Sequence, residues 1–172
     1  MRVLVAVASR HGSTREIGQA IADVLRGSGF LVDVHDPDDV EAIADYEAVV
    51  LGSSVYVGRW AASARALVDR YAGSLASRPV WLFSSGPVGD PPAPAGDPEE
   101  VPVLLARLHA RGHRTFSGRL DKGDLALAER AVVALVQAEH GDFRVWPDIQ
   151  DWAASIAAEL HEEEVRRLRF VR

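Results

Sequence analysis

Residues 5–18, VAVASRHGSTREIG, decide the fold of this chain. They begin within an apolar run, Val3–Ala8, of the kind shown by parallel strands that are buried on both faces. From Ile17 onward apolar residues recur at helical spacing, and the glycines within 27–29 predict the end of that helix. Between strand and helix lies a turn, Ser9–Thr14, of small, polar and basic residues. The stretch predicts a strand–turn–helix unit with a turn of unusual composition.

The rest of the chain repeats this alternation. Further strands are predicted at 30–36, Ala48–Val55, Pro79–Gly86 and, more weakly, 113–120. Helices are predicted at 61–75 and 98–112, and a last helix carries an apolar stripe of Ile149, Trp152, Ala153, Ile156, Ala157 and Leu160. Such alternation is typical of a parallel sheet with right-handed crossovers. We expect an α/β fold: a doubly wound sheet of five parallel strands in the order 2-1-3-4-5, with helices on both faces.

The length predicts a single domain over residues 1–172, with an inserted helical segment at about 121–143. One apolar stripe of this segment consists of Leu125, Ala128, Val132, Leu135 and Val136. A second stripe, of mostly small residues, consists of Leu127, Ala131, Ala134 and Ala138. A surface helix needs only one apolar face, so this helix either lies in a groove or meets a partner subunit, which leaves a homodimer open.

The composition excludes several classes of protein. The net charge of −6 argues against a nucleic-acid partner, which would require a basic stripe. The chain has no cysteine, which excludes disulfides, iron–sulfur clusters and thiol catalysis. No apolar run approaches the roughly 18 residues of a membrane span, and no cleavage region follows the first strand. We expect a cytoplasmic protein without an integral membrane segment.

Three loops follow the carboxyl ends of strands, where doubly wound sheets bind ligands. They are the first loop, Ser9–Thr14, the second loop, Ser53–Trp60, and the third loop, Ser84–Pro98. The first loop offers three hydroxyls and a glycine at the start of a helix, which is chemistry suited to a phosphate.

A plainer interpretation remains open for each loop. In the first, Ser13 or Thr14 merely caps the helix, and Glu16 completes a capping box. In the second, we expect Trp60 to be a core residue. Tyr56 is the aromatic residue of this loop that we expect to lie against a flat ring. The third loop, rich in proline and glycine, is either functional or a surface linker.

Named phosphate and catalytic motifs are mostly absent. The first loop lacks the lysine of a P-loop, because the chain's single lysine is Lys122, and it lacks the glycines of a dinucleotide fingerprint. Asp33 or Asp36 could bind a ribose, so a nicotinamide cofactor remains an alternative. His109 and His113 have no evident third ligand, so we predict no metal site. No residue is identified as a general acid or base.

The stretches ASRHGSTREIG and LGSSVYVG and the loop after the fourth strand resemble the three FMN loops of the flavodoxin superfamily. Within it, HGSTREI and GDFRVWPDIQDWAASIA are most similar to the branch that includes menaquinone-dependent protoporphyrinogen IX oxidase. The resemblance covers essentially the whole chain. It implies a flavodoxin-like fold with noncovalent FMN.

The resemblance also implies which residues hold FMN. The phosphate loop corresponds to Ser9, His11, Gly12, Ser13 and Thr14. The loop along the isoalloxazine corresponds to Ser54, Val55, Tyr56, Val57 and Gly58. The loop on its far side corresponds to Ser85, Gly86, Pro87, Val88 and Gly89. The cofactor performs the electron transfer, so no catalytic side chain is required.

Three functions follow from this resemblance. The first is an FMN-dependent oxidoreductase that passes electrons to a quinone or another small-molecule acceptor. The second is a flavodoxin-type carrier between redox partner proteins, and the third is a flavin-free interaction module. The predicted insertion has one aromatic residue, Phe143, and more acidic than basic residues, whereas quinone-linked oxidases carry an aromatic, basic insertion.

Overall fold

The computed structural model describes residues 1–88, 92, 96–121, 123 and 140–170. The main sheet contains five parallel strands: β1 (Arg2–Ala8), β2 (Leu31–His35), β3 (Ala48–Tyr56), β5 (Val80–Ser85) and β6 (Gly112–Phe116). A two-residue strand that the sequence did not predict, β4 (Arg59–Trp60), pairs antiparallel with β3. The parallel strands run in the order β2-β1-β3-β5-β6, which confirms the predicted doubly wound topology.

Helices cover both faces of the sheet, as predicted. They are α1 (Ser13–Gly27), α2 (Ala62–Ala76), α3 (Val101–Leu108) and α4 (Trp146–Phe170). One core lies between the sheet and helices α1 and α4, and the other lies under α2 and α3. The stripe predicted for the last helix is confirmed, because Ile149, Ala153 and Ile156 are fully buried. In the described part of the chain, no helix is both long and apolar enough to cross a bilayer.

Helix α1 ends where the sequence predicts. Gly29 has a φ of 93°, in the left-handed region that glycine adopts readily. Its N–H donates to the Arg26 carbonyl at 2.9 Å, and the Phe30 N–H donates to the Leu25 carbonyl at 3.2 Å. This pair of bonds is a Schellman motif, which satisfies carbonyls at the helix end.

The prediction of a helix over 98–112 is wrong at both ends. Helix α3 spans only Val101–Leu108, because His109 adopts a φ of 47° and its N–H turns back to the Ala106 carbonyl. The left-handed residue is therefore a histidine, and Gly112 instead begins β6.

The single weak strand predicted over 113–120 is also wrong. Strand β6 ends at Phe116, and the Gly118 N–H then donates to the carbonyl of Pro87 at 2.7 Å. Two further short strands, β7 (Arg119–Leu120) and β8 (Gly141–Asp142), pair antiparallel in a separate sheet.

These two strands flank the predicted insertion. Both of its helical stripes, between Leu125 and Ala138, lie outside the described residues. The inserted helix and the homodimer therefore stay predictions.

Candidate functional site

The first loop turns from β1 into α1 at the carboxyl edge of the sheet. Gly12 precedes the helix with a φ of 85°, and no side chain caps the helix there. The capping box expected between Ser13 and Glu16 is therefore wrong, since Ser13 already belongs to the helix. Because the first N–H groups of a helix have no acceptor within it, those of α1 remain available to a ligand at this loop.

The hydroxyls of the first loop add further donors. Ser9 Oγ is buried and has no hydrogen-bond partner among the described residues. Ser13 and Thr14 are also buried, whereas the His11 side chain is exposed. An unpaired buried hydroxyl costs free energy, so its position beside an uncapped helix N-terminus fits an anion such as a phosphate.

The second loop is a tight hairpin between β3 and β4. Val57 and Gly58 have φ values of 50° and 73°, which define a type I′ turn between the paired residues Tyr56 and Arg59. Tyr56 is 38% exposed, and the Arg10 guanidinium carbon lies 4.8 Å from the centre of its ring. This cation–π contact joins the first loop to the second.

The third loop packs directly against the second. Ser54 and Ser85 are neighbours across the β3–β5 register. A Cβ atom placed on Gly86 would lie 3.1 Å from Val55 Cβ, closer than side chains ordinarily pack, so this approach favours glycine. All the predicted site residues belong to these three loops, and all but Gly89 are among the described residues.

A hydrogen-bonded network with a buried centre, behind the second and third loops, was missed by sequence reasoning. We call it the serine–histidine network: Trp60, Ser84, Asp97, His113 and Thr115. Trp60 Nε1 donates to Ser84 Oγ at 2.8 Å, and this oxygen lies 2.8 Å from His113 Nε2. On the other side, His113 Nδ1 lies 3.4 Å from Asp97 Oδ1, which also accepts a 2.6 Å bond from the Thr115 hydroxyl. The expected core position of Trp60 is confirmed, since it is 2% exposed.

The network fastens the end of the third loop to the sheet. Although it contains a serine, a histidine and an aspartate, Ser84 is fully buried, so its hydroxyl is closed to a substrate. Burial lowers the pKa of His113, and Asp97 opposes that shift only in part. His113 is therefore mainly neutral at pH 7. Within the described ranges, no group of three or more metal-ligating side chains could hold a metal ion.

A charged cluster lies on the other side of the first loop. We call it the clamp: Glu16, Arg119, Asp142 and Arg144. It joins the first turn of α1 to β7 and β8, and the hydrogen bond from Arg144 holds the pKa of Asp142 below its usual range. Arg144 lies in the sequence segment FRVWP, but nothing in that segment indicates that it pairs with Glu16, more than a hundred residues away.

Comparison with known proteins agrees with this architecture. Residues 4–145 match the family described as the flavodoxin domain. The protoporphyrinogen IX dehydrogenase [quinone] of Escherichia coli is 30% identical over 86 residues, which make up 49% of this chain and 48% of that protein. The chain thus spans about half the length of the curated relatives it matches.

Solved structures show the same fold at low sequence identity. A flavodoxin variant from Pseudomonas aeruginosa has a TM-score of 0.59 and 16% identity, and the match covers 92% of this chain and 97% of that one. The rubredoxin oxygen:oxidoreductase of Desulfovibrio gigas has a TM-score of 0.65 and 14% identity, covering 94% of this chain and 36% of that one. At these identities the likeness concerns the fold alone.

Proposed function

The chain belongs to the flavodoxin domain family, whose cofactor is FMN, and we propose that its first loop holds the FMN phosphate. The observation that carries this proposal is the unpaired, buried Ser9 hydroxyl beside the uncapped first turn of α1. Ser13 and Thr14 would add hydroxyl donors, and the positive end of the helix dipole favours a dianion.

We propose further that the isoalloxazine ring lies between the second and third loops. The small residues Ser54, Ser85 and Gly86 pack closely there and would admit the edge of a flat ring, while Tyr56 would cover a face. Bound FMN supplies the electron transfer. The residues of the chain fix the ring's position and limit its contact with water.

We propose that the protein is an FMN-dependent oxidoreductase that acts on a reduced organic substrate and passes electrons to a quinone. The 30% identity to a quinone-linked protoporphyrinogen IX dehydrogenase supports this class of reaction. The three loops that we propose to hold FMN lie in the part of the chain that matches the flavodoxin domain.

A carrier between redox proteins is the second candidate. It is favoured by the exposed apolar tip of the second loop, where Val57 is 74% exposed beside Tyr56. Exposed apolar groups beside a cofactor suit contact with another protein. The net charge of −6 would favour a partner of opposite charge.

The placement of the phosphate can be tested by titrating apoprotein with FMN and with riboflavin, which lacks the phosphate. We expect replacement of both Ser13 and Thr14 by alanine to weaken FMN at least about 10-fold more than riboflavin, since hydrogen bonds to a charged group are the stronger kind. Ser77→Ala, at the exposed end of α2, is the matched control. Equal losses for both ligands would contradict this placement.

The reaction can be tested with the FMN-loaded protein. Oxidation of protoporphyrinogen IX by a soluble menaquinone analogue, dependent on FMN, is the result expected of the oxidoreductase. A protein that binds FMN and accepts electrons but does not oxidise protoporphyrinogen would instead favour the carrier.

A further inference from the structure

The base of the predicted insertion rests on the first turn of α1. The Arg119 N–H donates to Ser13 Oγ at 3.3 Å, and Arg144 Nη1 donates to the Ser13 carbonyl at 3.2 Å. As an acceptor, the Ser13 hydroxyl keeps its own hydrogen for another partner. Arg119 and Arg144, which flank the insertion, therefore both bond to Ser13. In the proposed function, Ser13 contacts the FMN phosphate.

Arg144 is the centre of this contact. Its side chain is only 3% exposed, and its guanidinium stacks on Trp146 at 4.6 Å. Asp142 accepts two bonds from it, at 2.6 and 2.8 Å, and Glu16 accepts a third at 2.6 Å. A buried guanidinium stays charged and requires such partners.

The charge of Glu16 affects the binding of an anionic ligand at this helix end. Its carboxylate lies in the first turn of α1, about half exposed, at the helix end where a phosphate would bind. Unpaired, it would repel a dianion there. Arg144 and, at 3.4 Å, Arg119 offset its charge. With Asp142 included, the clamp has a formal charge of zero.

We propose that Arg144 is a positioning residue for the FMN phosphate, acting through Glu16 and Ser13, and that it thereby couples the base of the insertion to cofactor binding. The inference rests on the proposed function, because it requires the phosphate at the first turn of α1. Arg144 lies outside the three loops and need not touch FMN. It neutralises an acid that otherwise opposes the phosphate, and it fixes the backbone that presents the donors.

The proposal requires opposite effects from the two partners. Arg144→Gln leaves the clamp with one net negative charge, so FMN should bind about 10-fold more weakly at low salt. Glu16→Gln leaves one net positive charge, so FMN should bind about 3-fold more tightly, a smaller gain because Glu16 is half exposed. The double variant is again neutral and should return towards the wild-type affinity. Riboflavin, which lacks the phosphate charge, should change little in all three.

The experiment is a titration of the apoprotein with FMN and riboflavin at pH 8, in low and in 0.5 M salt. The readout is the ratio of the FMN affinity to the riboflavin affinity. The differences in this ratio between the variants and the wild type should be smaller in high salt. Arg166→Gln, in an exposed pair on α4, is the matched control and should leave the ratio unchanged.

Equal weakening of both ligands by Arg144→Gln would assign Arg144 a merely structural role and overturn the proposal. If that variant does not fold, Glu16→Gln alone decides, and an unchanged FMN-to-riboflavin ratio overturns the proposal. A wild-type protein that binds FMN no better than riboflavin would instead overturn the phosphate placement itself.

Discussion

The clamp and the serine–histidine network both fasten a connection to the carboxyl edge of the sheet, but with different chemistry. The clamp buries a permanent charge, that of Arg144, and compensates it with carboxylates that remain about half exposed. The network buries a neutral imidazole, that of His113, between a hydroxyl and a carboxylate. We expect that formal charge and the cost of disruption do not coincide here, because the cost depends on which groups are left unpaired in the protein interior.

The network should show the largest effect on stability. Ser84→Ala removes the hydroxyl that pairs with both Trp60 Nε1 and His113 Nε2. Both groups are buried and would lack a partner, so we expect the free energy of unfolding to fall by about 2–3 kcal/mol. Urea denaturation measures this loss.

The control for Ser84 is Ser155→Ala on α4. The Ser155 hydroxyl donates to a backbone carbonyl at an exposed position. Its removal should cost less than about 0.5 kcal/mol. A loss at Ser84 no larger than that of the control would contradict the importance given to the network.

The clamp should matter less to stability despite its charge. We expect Arg144→Gln to lower the free energy of unfolding by about 1–2 kcal/mol, less than the loss of a fully buried ion pair, because water can reach the carboxylates of Glu16 and Asp142. The same denaturation experiment tests the ranking. A loss greater than that of Ser84→Ala would reverse the comparison.

The two clusters should also respond to acid over different pH ranges. His113 has a lowered pKa, so below its ordinary value of 6.5 the unfolded chain binds more protons than the folded one. The stability that it contributes is complete above pH 6.5 and is lost as the pH falls through the folded pKa. For Asp142, also with a lowered pKa, the corresponding loss begins only near its ordinary value of 3.8.

Unfolding free energies measured from pH 7.5 to 5 would test this separation. The slope attributable to His113 is at most about 1.4 kcal/mol per pH unit. It should disappear in His113→Gln and persist in Arg144→Gln. A wild-type slope unchanged by His113→Gln would contradict the assignment.

Local signals in the sequence predicted most of the fold. Strand β1, the first loop and the end of α1 just before Gly29 follow from apolar runs, helical spacing and glycine, which act over a few residues. The end of α3 was missed because His109 adopts a backbone conformation usually left to glycine. The capping box considered for Ser13 and Glu16 was wrong because Gly12 occupies the position before α1.

The candidate site was predictable only in part, because the signals in a sequence act over only a few residues. The three loops carry their signals within short stretches and fall together once the strand order is known. The bonds between Arg144 and Glu16 and between Ser84 and His113 depend on tertiary packing across long separations. No periodicity or spacing in one sequence encodes such pairs.

The smallest expected effect concerns the acids of the third loop and the reduction potential of bound FMN. Negative charge near the flavin disfavours added electrons, so Asp97→Asn should raise the two-electron potential. Because the Asp97 side chain is 56% exposed and already accepts the Thr115 bond, we expect a rise on the order of 10 mV at pH 8. Asp90, the other aspartate of the third loop, lies outside the described residues. Spectroelectrochemical titration at low and high salt measures the change, and Asp69→Asn on α2 is the matched control. A fall in potential, or a rise that high salt does not reduce, would show that Asp97 acts on His113 and the network and not through its charge on the cofactor.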